Sequence, residues 1–310
     1  MQAGFDGLSP NGVRKYENRN RLDLNMTPQD FRFSHSLRVR WVEVDMQKIV
    51  FNAHYLAYFD IAISDYWRAL ALPYEEAMRQ LGGELYVRKA VIEYHASARY
   101  DDQLDVALKC SRIGTSSMIF SGVIFRGDEV LVACELVYVF ADPVAQTSRP
   151  VSEALRSLVG RFEAGEAVLD IKISDWATLG QDAAKVRTAV FVQEQGIAQD
   201  MEWDGQDESA LHVVARNALG QPIATARLVG EAGGVGRIGR MAVHRGLRGF
   251  HVGQVILQSL ANAATQRGDV EVMLHAQRSA EGFYLRQGFT ACGEPFEEAG
   301  IAHIAMNRKL

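Results

Sequence analysis

Three places in this chain combine reactive residue types with a spacing that can present them. The first is Asp45, followed by the short segment Met46-Gln47-Lys48 and then by an apolar run that opens near Asn52. A carboxylate just ahead of a helix start supplies what acyl hydrolysis needs. The acid can act as nucleophile or base, and the unpaired N–H groups and positive dipole end at residues 52–54 can stabilise an oxyanion. The second is Arg248-Gly249-Phe250-His251-Val252-Gly253, between a strand pattern and a helix pattern. A glycine-rich turn entering a helix N-terminus binds phosphate through free N–H groups. The third is Tyr284, in Phe283-Tyr284-Leu285-Arg286-Gln287-Gly288-Phe289. A tyrosine of ordinary pKa, ~10, stays protonated at neutral pH and can give its proton to a leaving group. Each has a plainer alternative: an ordinary loop acid, a solvated basic face, and an aromatic packed beside Phe283 and Phe289.

These residues need elements to hold them. Leu37, Val39, Trp41 and Val44 nearly alternate, which predicts a strand. The run from Asn52 to Leu70 is apolar on nearly every side, which predicts a buried helix. Strands are expected over 90–100, 104–113, 116–126 and 130–141, separated by turns at Asp101-Asp102, Gly114 and Gly127-Asp128, with a closing helix over 148–166. One helix followed by an antiparallel meander is an α+β unit with the sheet wrapped around that helix. The second half alternates. It predicts a helix over 184–193, strands over 212–216, 222–229 and 236–243, and a helix over 253–267 stopped by Gly268. A strand over 270–275, a short helix over 280–286 and strands over 289–292 and 301–307 follow. Residues 1–30 are polar, without a hydrophobic period, and read as a disordered leader, within which Met26 offers an internal start. The division is expected near Glu166, giving domains over 31–166 and 167–310.

Composition narrows the class. A length of 310 residues suits two domains. The net charge of −5 without a basic block argues against a nucleic-acid surface. No apolar run reaches the ~20 residues of a membrane span, and the N-terminus lacks a secretory core. Cys110, Cys134 and Cys292 are scattered, which predicts buried core thiols rather than disulfides or a metal cluster. A cytoplasmic protein without metal is expected.

The segment VRWVEVDMQKIVFNAHYLAYFD, continued by VRKAVIEYHASARYDDQLDV, resembles the hotdog-fold thioesterases of the 4-hydroxybenzoyl-coenzyme A and Tol-Pal-associated type, over about Phe31–Glu163. The resemblance implies that Asp45 attacks the thioester carbonyl or activates water, and that the Asn52 N–H polarises the carbonyl oxygen. It also implies pairing of this domain into a homo-oligomer. Lys48 stands where the family usually has glycine, and Asn52 where Tyr or His is frequent. Tyr55, Tyr58, Phe59, Tyr66 and Trp67 line an acyl pocket or, as such sets more often do, pack the core.

The segments GRIGRMAVHRGLRGFHVGQVILQSLANAA and AEGFYLRQGF resemble the GNAT acetyltransferases, and VRTAVFVQEQGI with EEAGIAHIAMNRKL narrows this to the ElaA-like branch, over about Val168–Leu310. The resemblance implies an α/β domain with a mixed sheet. It implies that acetyl-coenzyme A is held by Met241, Ala242, Val243, Arg248, Gly249, Val252 and Gly253, and that Tyr284 protonates the departing thiolate. His251 occupies the usual middle glycine. On the acceptor side, Glu194 and His303 are candidate substrate residues. The acidic stretch Glu194, Glu202, Asp204, Asp207 and Glu208 either attracts a cationic amine or is a solvated loop. The expected function is therefore bifunctional: hydrolysis of an acyl-coenzyme A and acetyl transfer to an amine. The alternative is that one domain has lost its chemistry and only senses acyl-coenzyme A or drives oligomerisation.

Overall fold

The computed structural model describes residues 26–310, so residues 1–25 of the expected leader lie outside the described residues. The first half contains β1 (Phe33–Arg38), α1 (Asn52–Ala69), α2 (Tyr74–Leu81), β2 (Glu84–Tyr94), β3 (Gln103–Ile113), β4 (Ser117–Arg126), β5 (Glu129–Ala141) and α3 (Glu153–Glu163). Its five strands form one antiparallel sheet in the order β1-β3-β4-β5-β2. Tyr55, Tyr58, Phe59, Ala62, Ile63, Tyr66 and Trp67 of α1 are buried at three- and four-residue spacing, a single stripe laid on the sheet. Burial of a large apolar side chain contributes about 1.5–3 kcal/mol. The helix comes so close to β4 that a Cβ on Gly122 would stand 2.7 Å from the Phe59 ring, which explains a glycine in mid-strand. The all-round burial expected for this helix is not what the chain shows: Leu56 and Ile61, off the stripe, are exposed.

The first strand also differs from expectation. β1 ends at Arg38, and Trp41–Glu43 form a 3-10 turn with Trp41 74% exposed. The turn wins because Glu43 is buried there with partners. Its carboxylate accepts the Tyr58 hydroxyl at 2.8 Å and the Arg40 N–H at 2.7 Å. A buried carboxylate so satisfied outweighs an alternating apolar pattern.

The second half contains β6 (Leu169–Ser174), α4 (Trp176–Arg187) running into a π-helical turn (Thr188–Glu194), α5 (Gln199–Glu202), β7 (Leu211–Asn217), β8 (Pro222–Glu231) and β9 (Val235–Val243). It continues with α6 (Val252–Arg267), β10 (Glu271–Gln277), α7 (Glu281–Arg286), β11 (Thr290–Glu298) and β12 (Ile301–Lys309). Seven strands form a mixed sheet in the order β11-β12-β10-β9-β8-β7-β6. The β9/β10 pair alone is parallel, and it holds over three positions, Val235–Glu271 to Arg237–Met273. Beyond them β9 continues without β10 beside it. The register of β8 with β9 shifts between Thr225 and Arg227, and Arg240 takes a positive φ of 49°. A bulge of this kind bends a strand and turns it away from its neighbour. The two strands thus open toward their C-terminal ends, where α6 begins. The halves also touch: the Asn217 side-chain amide donates to the Ala71 carbonyl at 3.1 Å, and Gln80 donates to the Leu219 carbonyl at 3.0 Å.

Candidate active sites

Asp45 sits in a tight loop closed by the Val44–Val50 bridge. The Asp45 N–H donates to the Ile49 carbonyl, the Lys48 N–H donates back to the Asp45 carbonyl, both at 2.9 Å, and the Asp45 carboxylate accepts the Gln47 N–H at 2.7 Å. Lys48 has φ +62°, a left-handed conformation that costs a residue with a Cβ about 1–2 kcal/mol. The loop therefore keeps the shape glycine would give it. α1 starts at Asn52, with Phe51 as its cap and no side-chain capping bond, so Asn52 is the first helical residue and not the cap. Its N–H has no protein acceptor among the described residues, as its position in the first turn dictates. Asp45, Asn52, Tyr55, Tyr94, His95 and Ser97 line one cleft of about 340 Å³. Of the aromatic set, Tyr55 reaches this cleft; Tyr58, Phe59, Tyr66 and Trp67 are core. His95 and Ser97 were not anticipated, because a strand pattern does not reveal which strand end faces a distant loop.

A second cleft, about 490 Å³, lies where β9 and β10 part. Met241, Gln195, His275, Gln277, Tyr284 and His303 are among its walls. Tyr284 is nearly buried, and burial pushes its hydroxyl up to about 12. The hydroxyl donates to the Met241 sulfur at 3.5 Å, a weak acceptor that leaves the proton available. Ala242 and Val252 have buried side chains, so only their backbones can meet a ligand. At the α6 start His251 has φ +62° and Gly249 φ +88°. The N–H groups of Gly249, His251, Val252 and Gly253 have no protein acceptor among the described residues, and they precede or open the helix as an anion site requires. A Cβ on Gly253 would stand 3.3 Å from the Met241 methyl and 3.5 Å from Val243, so this glycine ties the loop to the cleft wall.

Comparison with known proteins decides the family of each half. Residues 177–310 match the family described as Acetyltransferase (GNAT) domain, and residues 47–133 match the Thioesterase superfamily. The uncharacterized N-acetyltransferase YjcF of Bacillus subtilis is 32% identical over 127 residues, covering 41% of this chain and 89% of its own. A provisionally named esterase of Aquifex aeolicus is 32% identical over 96 residues, covering 31% of this chain and 74% of its own. The crystal structure of Escherichia coli ElaA is 29% identical, covering 45% of this chain and 99% of its own, with a TM-score of 0.41. The chain belongs to both families. It is a hotdog thioesterase domain followed by a GNAT domain, a two-domain enzyme of acyl-coenzyme A chemistry with a hydrolase part and an acyltransferase part.

Within the GNAT half, Glu202, Asp204 and Asp207 of the acidic stretch are bound by arginines, while Glu208 is exposed. Arg187, 1% exposed, bonds the Glu202 carboxylate, donates to Asp207 at 2.8 Å and lies over the Trp203 ring at 4.6 Å. Arg227 bonds Asp204 and donates to Asp207 at 2.8 Å, and Arg240 reaches Glu202 at 3.2 Å and Asp204 at 3.0 Å. Three acids and three arginines cancel. The Arg227 hydrogen bonds hold Asp204 below the usual carboxylate range, while burial pushes Glu202 up. Glu194 and Arg248 form a two-point pair at 2.6 and 2.7 Å, and that contact lowers Glu194. Two predicted site residues therefore engage each other. Of the thiols, Cys134 is buried, Cys110 half-buried and Cys292 exposed, which corrects the expectation of three core thiols. Among the described residues no three His, Cys, Asp or Glu could hold a metal ion, and no helix is long and apolar enough to cross a membrane.

Proposed function

We propose that the first half hydrolyses an acyl-coenzyme A thioester and the second transfers acetyl from acetyl-coenzyme A to an amine. One observation carries both readings. In each half a reactive side chain lies near a helix N-terminus with free N–H groups: Asp45 and Asn52 line one cleft, and Tyr284 contacts Met241, whose methyl lies beside Gly253 at the start of α6. In the thioesterase half, Asp45 attacks the thioester carbonyl or activates water, and the Asn52 N–H receives the developing oxyanion. In the GNAT half, Gly249, Val252 and Gly253 hold the pyrophosphate through their N–H groups, and the unladdered edge of β9 at Met241–Val243 meets the pantetheine amides. Arg248 adds positive charge once a phosphate competes with Glu194 for it. Tyr284 protonates the thiolate as the C–S bond breaks, a role suited to a hydroxyl kept neutral by burial. Glu194 then serves to hold Arg248.

The reading extends to organisation. The division falls near Glu166, in the short segment between α3 and β6. The protein is a homo-oligomer through the thioesterase domain, where β2 has an outer edge unpaired among the described residues and exposed Tyr86, Val87 and Tyr94. Unpaired thiols suit a reducing cytoplasm. The test is thiol release by the purified chain against acetyl-, medium-chain, long-chain and aromatic acyl-coenzyme A, with and without a panel of primary amines. Amine-independent release from one class and amine-dependent release from acetyl-coenzyme A are expected. Binding without release in either assay would turn that half into a sensor.

A further inference from the structure

We propose that His303 is the proton acceptor for the amine in the GNAT cleft, an inference that rests on the acetyltransferase reading. Its ring nitrogen Nδ1 lies 2.7 Å from the Ile301 carbonyl oxygen. A carbonyl oxygen only accepts, so Nδ1 carries the hydrogen, and the neutral ring then presents a bare lone pair at Nε2. The ring is fixed by a nearly parallel neighbour, Phe296, at 6.0 Å and 22°. His303 is half-buried and shares the cleft with Tyr284 and Met241. In register it faces Gln277, the end of β10, from which the chain turns directly into α7 and Tyr284. Donor and acceptor thus stand on different elements of one cleft.

Three acids nearby are committed. Glu202 and Asp204 are bound by Arg187, Arg227 and Arg240, and Glu194 by Arg248. His275 Nδ1 meets a donor, Arg237, at 3.3 Å and an acceptor, Glu298, at 3.1 Å, so these partners do not fix its tautomer. Of the two histidines that line the cleft, His303 alone has its tautomer fixed by a partner that only accepts, which leaves Nε2 as a defined lone pair.

The proton balance closes with two groups. An ammonium substrate must lose two protons to become an amide. His303 Nε2 takes the first, which frees the nitrogen lone pair to form the C–N bond, and later passes it to water. As the C–S bond breaks, Tyr284 gives its proton to the thiolate and recovers the second proton from the nitrogen. The products are the acetamide, coenzyme A thiol and one proton in solution.

The test uses the full chain and its H303Q variant. Diethyl pyrocarbonate acylates an unprotonated imidazole nitrogen. Peptide mass spectrometry is expected to show His303 labelled far faster than His212, whose Nε2 donates to the buried Asp207 carbonyl at 2.9 Å. H303Q should bind coenzyme A like wild type in calorimetry, yet release thiol from acetyl-coenzyme A about a hundredfold more slowly with butylamine as acceptor. With hydroxylamine, a nucleophile already neutral at the assay pH, H303Q should stay near wild type. An unreactive His303, an equal loss with both nucleophiles, or lost coenzyme A affinity overturns the proposal. Failure of the wild-type chain to bind coenzyme A strikes the acetyltransferase reading itself and takes this proposal with it, a result distinct from any failure confined to H303Q.

Discussion

The two clefts solve one geometric problem with the same device and treat charge in opposite ways. In each, a tight turn delivers the chain to a helix start, and a residue with a side chain holds the left-handed conformation in that turn, Lys48 in one and His251 in the other. At the first cleft the acid is left uncommitted. The Asp45 carboxylate accepts one backbone N–H and has no cationic partner within ion-pair distance among the described residues. At the second, Glu202, Asp204 and Glu194 are tied to arginines, and the groups proposed for proton transfer are a hydroxyl and an imidazole. The difference teaches which carboxylates do chemistry. A carboxylate bound by two guanidinium groups is poor as a base or nucleophile, because its lone pairs are occupied and, at Asp204 and Asp207, its charged form is favoured.

The sharpest break in the comparison comes from removing a charge that one half needs and the other does not. Arg187→Met leaves Glu202 and Asp207 buried without their partner, which costs about 3–5 kcal/mol. Hydrogen exchange should rise across α4 and β7–β9, with β3–β5 of the thioesterase half unchanged. Equal exchange throughout would mean that the network is decorative. Acid should act in the same place. Asp204 has its folded-state pKa lowered, so its contribution is complete above the ordinary aspartate value of ~3.9 and disappears as pH falls below it. An acid titration of stability in which Asp204→Asn removes part of the low-pH slope is expected.

Next in size are the two variants that separate chemistry from binding in the GNAT cleft. Tyr284→Phe removes one hydroxyl and should lower amine-dependent turnover by about a hundredfold with coenzyme A affinity intact. Normal turnover would return Tyr284 to the packing role suggested by Phe283 and Phe289, whose rings lie 5.0 and 5.9 Å away. Gly253→Val should do the reverse and weaken coenzyme A binding. The added side chain meets the flexible Met241 methyl and the Phe283 ring, so the fold tolerates it better than a phosphate does. The smallest effects belong to the shared device. Lys48→Gly and His251→Gly each relieve a left-handed residue and should raise stability by about 1 kcal/mol or less, because glycine also loosens the unfolded chain. A loss of stability in either would show that the side chain, not the turn, matters there.

Much of this was legible in the chain. β3, β4, β5, β8, β9 and α6 lie within about two residues of their expected spans, because turn residues such as Gly127-Asp128 and Gly268 punctuate them, whereas the strand expected over 90–100 runs from Glu84 to Tyr94. Both candidate loops stand out in the chain, one because an acid precedes a helix and the other because a glycine-rich turn enters one. What escaped depends on partners far away in sequence. The strand expected through Val44 stops at Arg38 because Tyr58 and Arg40 claim Glu43. β6 alternates at Leu169, Ile171 and Ile173 and was within reach; it was missed as a short edge. α2 is eight residues long, with its Gly82 cap as the one clear signal. The acidic stretch could not be read, since Arg187 and Arg227 neutralise it from 15 to 23 residues away.

The central claim is that one chain carries two acyl-coenzyme A sites with separate reacting groups. Thiol release measured on Asp45→Asn and Tyr284→Phe, each in the amine-free and amine-dependent assay, tests it most directly. Asp45→Asn should lower the amine-free hydrolysis by about a hundredfold or more and leave acetyl transfer at wild-type rate, and Tyr284→Phe should do the opposite. A single substitution that abolishes both activities in a folded chain, or an Asp45→Asn variant that hydrolyses normally, would contradict it.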